Sequence, residues 1–236
     1  MKKLSLTIAA LALALSITGC SMIQGLIGGD FDAGLYVSGR IDVLYLGEAS
    51  DAYYDILEDG GKDYTKELYE SNMQMQFDYL TYYYFDIYTE YLSDEMLDRG
   101  LQVVKDIYAQ SNYSVDSVTK ANDGSFNVNV TVAPITTVED FYNTYFEDIC
   151  NKYYDKYYDE FSEEMTEDDP LIYESEEYFA DLIFTRLEDM LENGEMSFGT
   201  PEVVVVRVYV DDDDLYVISD TDISSIDRVI MTYPTY

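Results

Sequence analysis

Apolar residues recur along this chain at two different intervals, and the change of interval separates helical from extended stretches. In AGLYVSGRIDVLYLG (33–47), Leu35, Tyr36, Ile41, Val43, Leu44 and Leu46 predict a helix closed by Gly47. A short helix or turn follows in DAYYDILED and stops at Gly60 and Gly61. Over 63–91, Leu68, Met75, Tyr79, Tyr83, Ile87 and Tyr91 fall one or two turns apart, which predicts a long helix. Ser93 is placed to cap another, with Asp94 and Glu95 where the positive end of the helix dipole favours acids. Its stripe is Leu97, Leu101, Val104, Ile107 and Tyr108.

The interval then drops to two. NYSVDSVTK and SFNVNVTV alternate apolar with polar residues around Ala121-Asn122-Asp123-Gly124, a hairpin signal that Pro134 closes. A long helix is expected over 138–165, broken by the acidic TEDDP ending at Pro170, and another over 174–192 with Asn193-Gly194 as its stop. PEVVVVRVYV and LYVISD read as strands around the acidic turn 211–214, followed by a short helical or coiled tail after Asp222. The run 203–206 is apolar without alternation, predicting a central strand covered on both faces. The economical fold class is α+β, with two hairpins forming one antiparallel sheet packed against several amphipathic helices. Helix, helix, hairpin occurs twice, giving halves 33–135 and 136–236 of a single domain 33–236. An offset of 83 residues sets Leu101 on Phe184, Val104 on Leu187, Ile107 on Met190 and Tyr108 on Leu191. The same offset sets Tyr113 on Met196 and Val115 on Phe198.

The segment NKYYDKYYDEF (151–161) belongs to the expected long helix. Phe141, Tyr145, Ile149, Tyr153, Tyr157 and Phe161 step by four, with Tyr142, Phe146, Cys150, Tyr154 and Tyr158 alongside. Two adjacent rows make a wide apolar stripe, and Asp148 with Lys152 and Lys156 with Glu160 are spaced to pair on the polar side. Tyr82, Tyr83 and Tyr84 cannot all point inward, because three consecutive helical positions span about 200°. At least one ring is therefore exposed, and this trio is the candidate binding surface.

Composition sharpens the picture. The 236 residues include 26 Tyr, 10 Phe and no Trp, and 47% are hydrophobic, enough for a folded core. Lys and Arg number 13 against 48 Asp and Glu, a net charge of −35. Such a surface repels phosphate backbones, so nucleic acid is excluded as a partner, and a basic protein or peptide is favoured. The simpler consequence of the charge is solubility.

The leader changes the picture most. Lys2 and Lys3 precede an uncharged, mostly apolar run at 4–17, long enough for a signal peptide but shorter than the ~20 residues of a membrane span. The following Ile17-Thr18-Gly19-Cys20 resembles a bacterial lipobox, which implies cleavage after Gly19 and a diacylglyceryl group on the Cys20 sulfur. The expected organisation is a signal peptide at 1–19, a lipidated cysteine and short tether at 20–32, and the folded part beyond. Two acyl chains hold a protein on a bilayer where one would not. Two lysines leave with the leader, taking the charge from −35 to −37. A coil of about ten residues reaches only ~15–20 Å, so the folded part would sit near the outer face of the cell membrane.

Chemistry is sparse. With no histidine, a nucleophilic triad and the commonest metal ligand are both missing. No phosphate-cradling loop or nucleophile elbow is present. The calcium-loop start at 220–224 fails, because Ser225 and Met231 stand where glycine and a bidentate glutamate belong. Cys150 reads as a small core hydrophobe, and 211–214 as an acidic hairpin tip. No catalytic, cofactor or metal residue is assigned, no cofactor is implied, and nothing sets an oligomeric state.

Three stretches, FDAGLYVSGRIDVLYLGEAS, LSDEMLDRGLQVVKDIYAQSNYSV and DGSFNVNVTVAPI, resemble an uncharacterised family of Gram-positive lipoproteins built on a domain of unknown function. The likeness covers 31–135 well and the remainder loosely. It implies localisation and globularity, and carries over no catalytic residue. The leading expectation is a lipid-anchored, non-catalytic extracytoplasmic domain that binds a protein, peptide or envelope component. The competing expectations are a histidine-independent carboxylate hydrolase of glycans and a structural spacer.

Overall fold

The computed structural model describes residues 31–57, 61–161, 169–212 and 214–233. The leader, Cys20 and Gly60 lie outside the described residues. Helix α1 (Ala33–Leu46) opens on Asp32, whose side chain accepts from the Leu35 amide, and closes on Gly47 at φ 78°. It is apolar around most of its circumference, and such a helix is stable only when surrounded. Accordingly Tyr36, Val37, Ile41, Val43, Leu44 and Tyr45 are all buried.

After the short α2 (Asp51–Asp55) comes α3 (Gly61–Tyr83), so Gly61 begins a helix instead of ending one. The expected helix to residue 91 stops at Tyr83. The Tyr84 and Phe85 amides both turn back to the Leu80 carbonyl, and Asp86 adopts a left-handed φ of 54°. The chain then runs extended with Phe85 and Ile87 buried, so Ile87 serves the core without belonging to the helix. A 3-10 turn (Thr89–Tyr91) leads to α4 (Asp94–Tyr108), capped by Ser93 as expected.

The sheet consists of β1 (Asn112–Lys120), β2 (Phe126–Ala133), β3 (Glu202–Val210) and β4 (Tyr216–Ile218), antiparallel in that order. Val128 and Val130 pair with Val206 and Val204 on the buried face, under α1 and α8 (Asp220–Ile230). Their neighbours Asn129 and Thr131 pair with Val205 and Val203 on the other face. There Val203 and Val205 are 63% and 52% exposed. β3 is thus an inner strand, but one of its faces is open, which corrects the expectation from 203–206. Valine suits either face of a pleated sheet, so its run carries no information about cover.

Between the hairpins lie α5 (Thr137–Phe141), a π-helical turn (Tyr142–Phe146) and α6 (Glu147–Tyr157). The continuous helix expected to residue 165 is therefore interrupted by the wide turn and ends at Tyr157. The turn passes Tyr142 and Phe146, which stack at 4.6 Å. The first aromatic row stays inward at Phe141, Ile149 and Tyr157, whereas the second surfaces at Tyr154 and Tyr158. Neither expected ion pair of this helix forms among the described residues. Lys156 lies instead 4.6 Å and 3.9 Å from the ring centroids of Tyr157 and Tyr178.

Helix α7 (Pro170–Glu192) starts before the expected residue 174. Pro170 does not break it, because a proline in the first turn forfeits only an amide that lacks a helical partner anyway. Asn193 and Gly194, at φ 68°, end it as expected. α7 packs on α4 through Arg99, whose guanidinium donates to both Glu188 carboxylate oxygens (2.9 and 2.6 Å) and to Asp181 (2.6 Å). The 83-residue offset matches the stripes of α4 and α7 but not the strands, since β1 and β3 begin at Asn112 and Glu202, 90 residues apart.

Gly100 stands where α3, α4 and α7 converge, and a Cβ there would lie 2.5 Å from Phe184 Cζ and 2.6 Å from Phe77 Cε2. Alanine in place of helical glycine normally gains about 1 kcal/mol. Overpacking of about 1–3 kcal/mol should reverse that sign. Gly100→Ala is expected to lower stability in urea denaturation, and a stabilised variant would contradict this junction.

Candidate functional site

The end of α3 builds the most distinctive surface of the molecule. Tyr82 and Tyr83 are 59% and 49% exposed, whereas Tyr84 turns inward and stacks on Tyr233 at 4.8 Å and 15°. The candidate trio is therefore split, two rings outward and one docked. Tyr79, also exposed, is 5.0 Å from Tyr83 and 5.3 Å from Tyr233, and Tyr82 is 4.9 Å from Tyr83. Beyond the left-handed Asp86 the extended backbone alternates, sending Phe85 and Ile87 in and Tyr88 out. Tyr88 approaches Tyr91 at 6.5 Å, and Tyr91 meets Tyr173 of α7 at 5.3 Å. Tyr79, Tyr82, Tyr83, Tyr88 and Tyr173 thus form an exposed strip.

Carboxylates run through it. Glu176 accepts from the Tyr88 amide (3.2 Å) and Glu177 from the Ser93 amide (2.7 Å), so α7 holds the loop by two backbone bonds. Burial pushes the Glu176 carboxyl up to about 7, the Tyr88 amide opposes this, and the negative charges of Asp86 and Glu90 add to it. The Tyr88 phenol is raised first by the Asp86 carboxylate. Tyr88, Asp86, Glu90 and Glu176 were not singled out by sequence reasoning, and Tyr79 was read only as part of the apolar stripe of a helix, whereas it is exposed. Tyr-acid alternation in YYYFDIYTEYL was the available signal for the loop residues, and Glu176 had none, because only tertiary packing brings it there.

A second feature is an open groove of about 530 Å³ at the β1–β2 turn and the start of α8. Arg207 crosses it, donating to Asp123 (2.6 Å) and, through Nε, to the Ser125 hydroxyl (3.2 Å). Asp222 accepts from the Ser219 hydroxyl and the Arg207 amide. The Ser125 hydroxyl and amide hold the Asp123 carboxyl below its usual range. A glycosidase acid needs the opposite shift. Ser219 caps α8 here, so 220–224 forms the first turn of a helix, not a calcium loop. Cys150 is half-buried against the core and its thiol is raised by burial, as befits a small hydrophobe.

No protein-family model matches the sequence, and no curated protein does. Among solved structures, the crystal structure of a candidate lipoprotein, ycdA of Bacillus subtilis, superposes with a TM-score of 0.52 at 16% identity. The match covers 85% of this chain and 56% of that one, so this chain spans little more than half the neighbour's length. At that identity the likeness shows a shared α+β fold. Among the described residues no helix is long and apolar enough to cross a membrane.

Glu176 also gives the site a pH signature. Its folded value of about 7 lies above the ordinary 4.5, so folding favours the protonated form. That contribution is complete below about pH 4.5 and is lost as pH rises through 7. Glu176→Gln, which mimics the protonated state, is expected to flatten the stability profile between pH 4.5 and 7 and to stabilise the protein above it. Urea denaturation at pH 5 and pH 8 measures this, and an unchanged slope would contradict the described environment.

Proposed function

We propose that the chain is a lipid-anchored extracytoplasmic protein whose folded part, residues 33–236, is a non-catalytic binding domain. Cys20 is the acylated residue and 20–32 the tether. Support for the anchor comes from the lipobox-like Ile17-Thr18-Gly19-Cys20 and from a structural neighbour described as a candidate lipoprotein. Binding rests on one observation, the exposed strip around Tyr82 and Tyr83. Soluble monomers seldom leave contiguous aromatic surface uncovered unless it meets something, and tyrosine is the residue most suited to contacts that must be apolar and wet at once.

The hydrolase reading has one observation in its favour, a carboxyl near neutrality beside other acids among aromatic rings, which is how a general acid is tuned. Yet the Glu176 carboxylate already holds the Tyr88 amide, so its first role is to position a loop. Glycan turnover abolished by Glu176→Gln would favour catalysis over binding.

The anchor is tested by fractionation. Wild-type protein is expected in the membrane fraction, and Cys20→Ser in the soluble or secreted fraction. Equal membrane retention of the variant would overturn the anchor.

A further inference from the structure

The chain's own cations show what its tyrosines hold. Lys62 lies 4.6 Å over the Tyr54 ring and pairs with Asp51 at 3.7 Å. Lys105 lies 5.5 Å over Tyr69 and pairs with Glu70 at 2.5 Å. The Arg186 guanidinium lies 3.9 Å over Tyr145 and pairs with Glu195 at 2.8 Å. In each case the face of a tyrosine and a nearby carboxylate share one cation, because the ring's negative face and the acid act in the same sense.

The strip repeats the two acceptors of that arrangement. Asp86 and Glu176 act on Tyr88, and Glu90 acts on Glu176. Among the described residues, however, no lysine or arginine pairs with Asp86, Glu90 or Glu176, or lies over Tyr79, Tyr82 or Tyr88. Two exposed carboxylates, Asp86 and Glu90, and three exposed rings therefore meet solvent without a cation of their own, with the half-buried Glu176 behind them. We propose that the strip from Tyr79 to Tyr88, with Asp86, Glu90 and Glu176, docks a polypeptide segment bearing lysine or arginine side chains. This deepens the binding reading above and rests on it.

Two features favour a basic peptide over a glycan. Neighbouring rings are steeply inclined to one another, 83° between Tyr82 and Tyr83, 52° between Tyr79 and Tyr83 and 54° between Tyr88 and Tyr91, so they offer separate faces instead of a flat platform for sugar rings. Charge is the other, since a neutral glycan leaves the carboxylates unanswered whereas a cation satisfies both ring and acid.

The first described residue, Phe31, stacks on Tyr216 at 3.7 Å and lies 5.8 Å from Phe126, the first residue of β2. Tyr233, against which Tyr79 and Tyr84 pack, lies beyond the last residue of β2, where Thr232 donates to the Ile135 carbonyl at 2.8 Å. The length of β2, eight residues, puts ~23 Å of sheet between them. The strip begins at the end of the sheet opposite Phe31.

The test uses the full mature protein in detergent, titrated with a deca-arginine peptide, a deca-glutamate peptide and a neutral hexasaccharide. Saturable binding of deca-arginine alone is expected, weakened about fivefold to tenfold by Tyr82→Ala with Tyr88→Ala and likewise by Asp86→Asn. Tyr158→Ala, and Glu67→Gln with Asp155→Asn, remove a ring or two charges elsewhere on the exposed surface and are expected to change affinity less than twofold. Equal loss in those controls would show diffuse attraction to an acidic globule and overturn the inference. Tyrosine-dependent binding of the hexasaccharide, insensitive to Asp86→Asn, would overturn the basic partner and leave the strip a binding surface. Failure of every probe would overturn both inference and reading.

Discussion

Everything in this fold is arranged around a helix that cannot face water. α1 packs on α3 and α4 and on β1, β2 and β3, and is the element that joins helices to sheet. Burying a helix on all sides forces its polar groups to find protein partners. Asn72 donates to the Leu44 carbonyl at 2.8 Å, supplying an acceptor in the last turn with the donor it lacks. The Tyr45 and Tyr113 hydroxyls donate to Asp227 and Asp42, respectively, and burial raises both carboxyls. Close approach also needs small residues. A Cβ on Gly39 would fall 2.2 Å from the Tyr53 ring, so glycine there lets α2 lie against α1.

The same pressure explains the preference for tyrosine. A chain with a net charge of −35 repels itself, and it cannot add buried acids without neutralising them. Phenols add apolar area together with donors for the acids that are present. Gln76 accepts from both Tyr108 (2.8 Å) and Tyr233 (3.0 Å), tying α3 to α4 and to the segment after α8. Arg99 does the complementary service between α4 and α7, where its planar fork meets two acids at once. Arg186 and Arg207 likewise serve more than one acceptor, Arg186 the Tyr145 ring and Glu195, and Arg207 Asp123 and Ser125.

Elements governed by local chemistry were legible in the sequence. Ser93 caps its helix, Gly47 and Gly194 end theirs, and Gly124 turns the hairpin at φ 88°. What was not legible depended on partners distant in sequence. Nothing local separates Tyr83 from Ile87, because both fit the helical interval and only the burial of Phe85 and Ile87 under other elements decides that the helix stops. The π turn at Tyr142–Phe146 shifts a stripe that otherwise steps evenly by four. Tyr82 and Tyr83 were recognisable by crowding alone, since three adjacent rings exceed one face. Tyr88, Asp86 and Glu176 became a site only when α7 was placed beside the loop.

The entry point of the chain gives these contacts a mechanical meaning under the proposed anchoring. α1 begins two residues after Phe31, so a pull arriving at Phe31 would reach the buried helix within two residues. Phe31 would meet that load first, held face to face by Tyr216 at an interplanar angle of 5° and flanked by Phe126 and Tyr36. The cap bond from the Leu35 amide to Asp32 lies immediately behind it. These rings belong to β4, β2 and α1, so the load divides between the sheet and the helix before it can unwind the first turn. A tether ending on an exposed loop would have no such division. Under the proposed anchoring, this aromatic clamp around Phe31 would stand between the anchor and the core, at the end of β2 away from Tyr233.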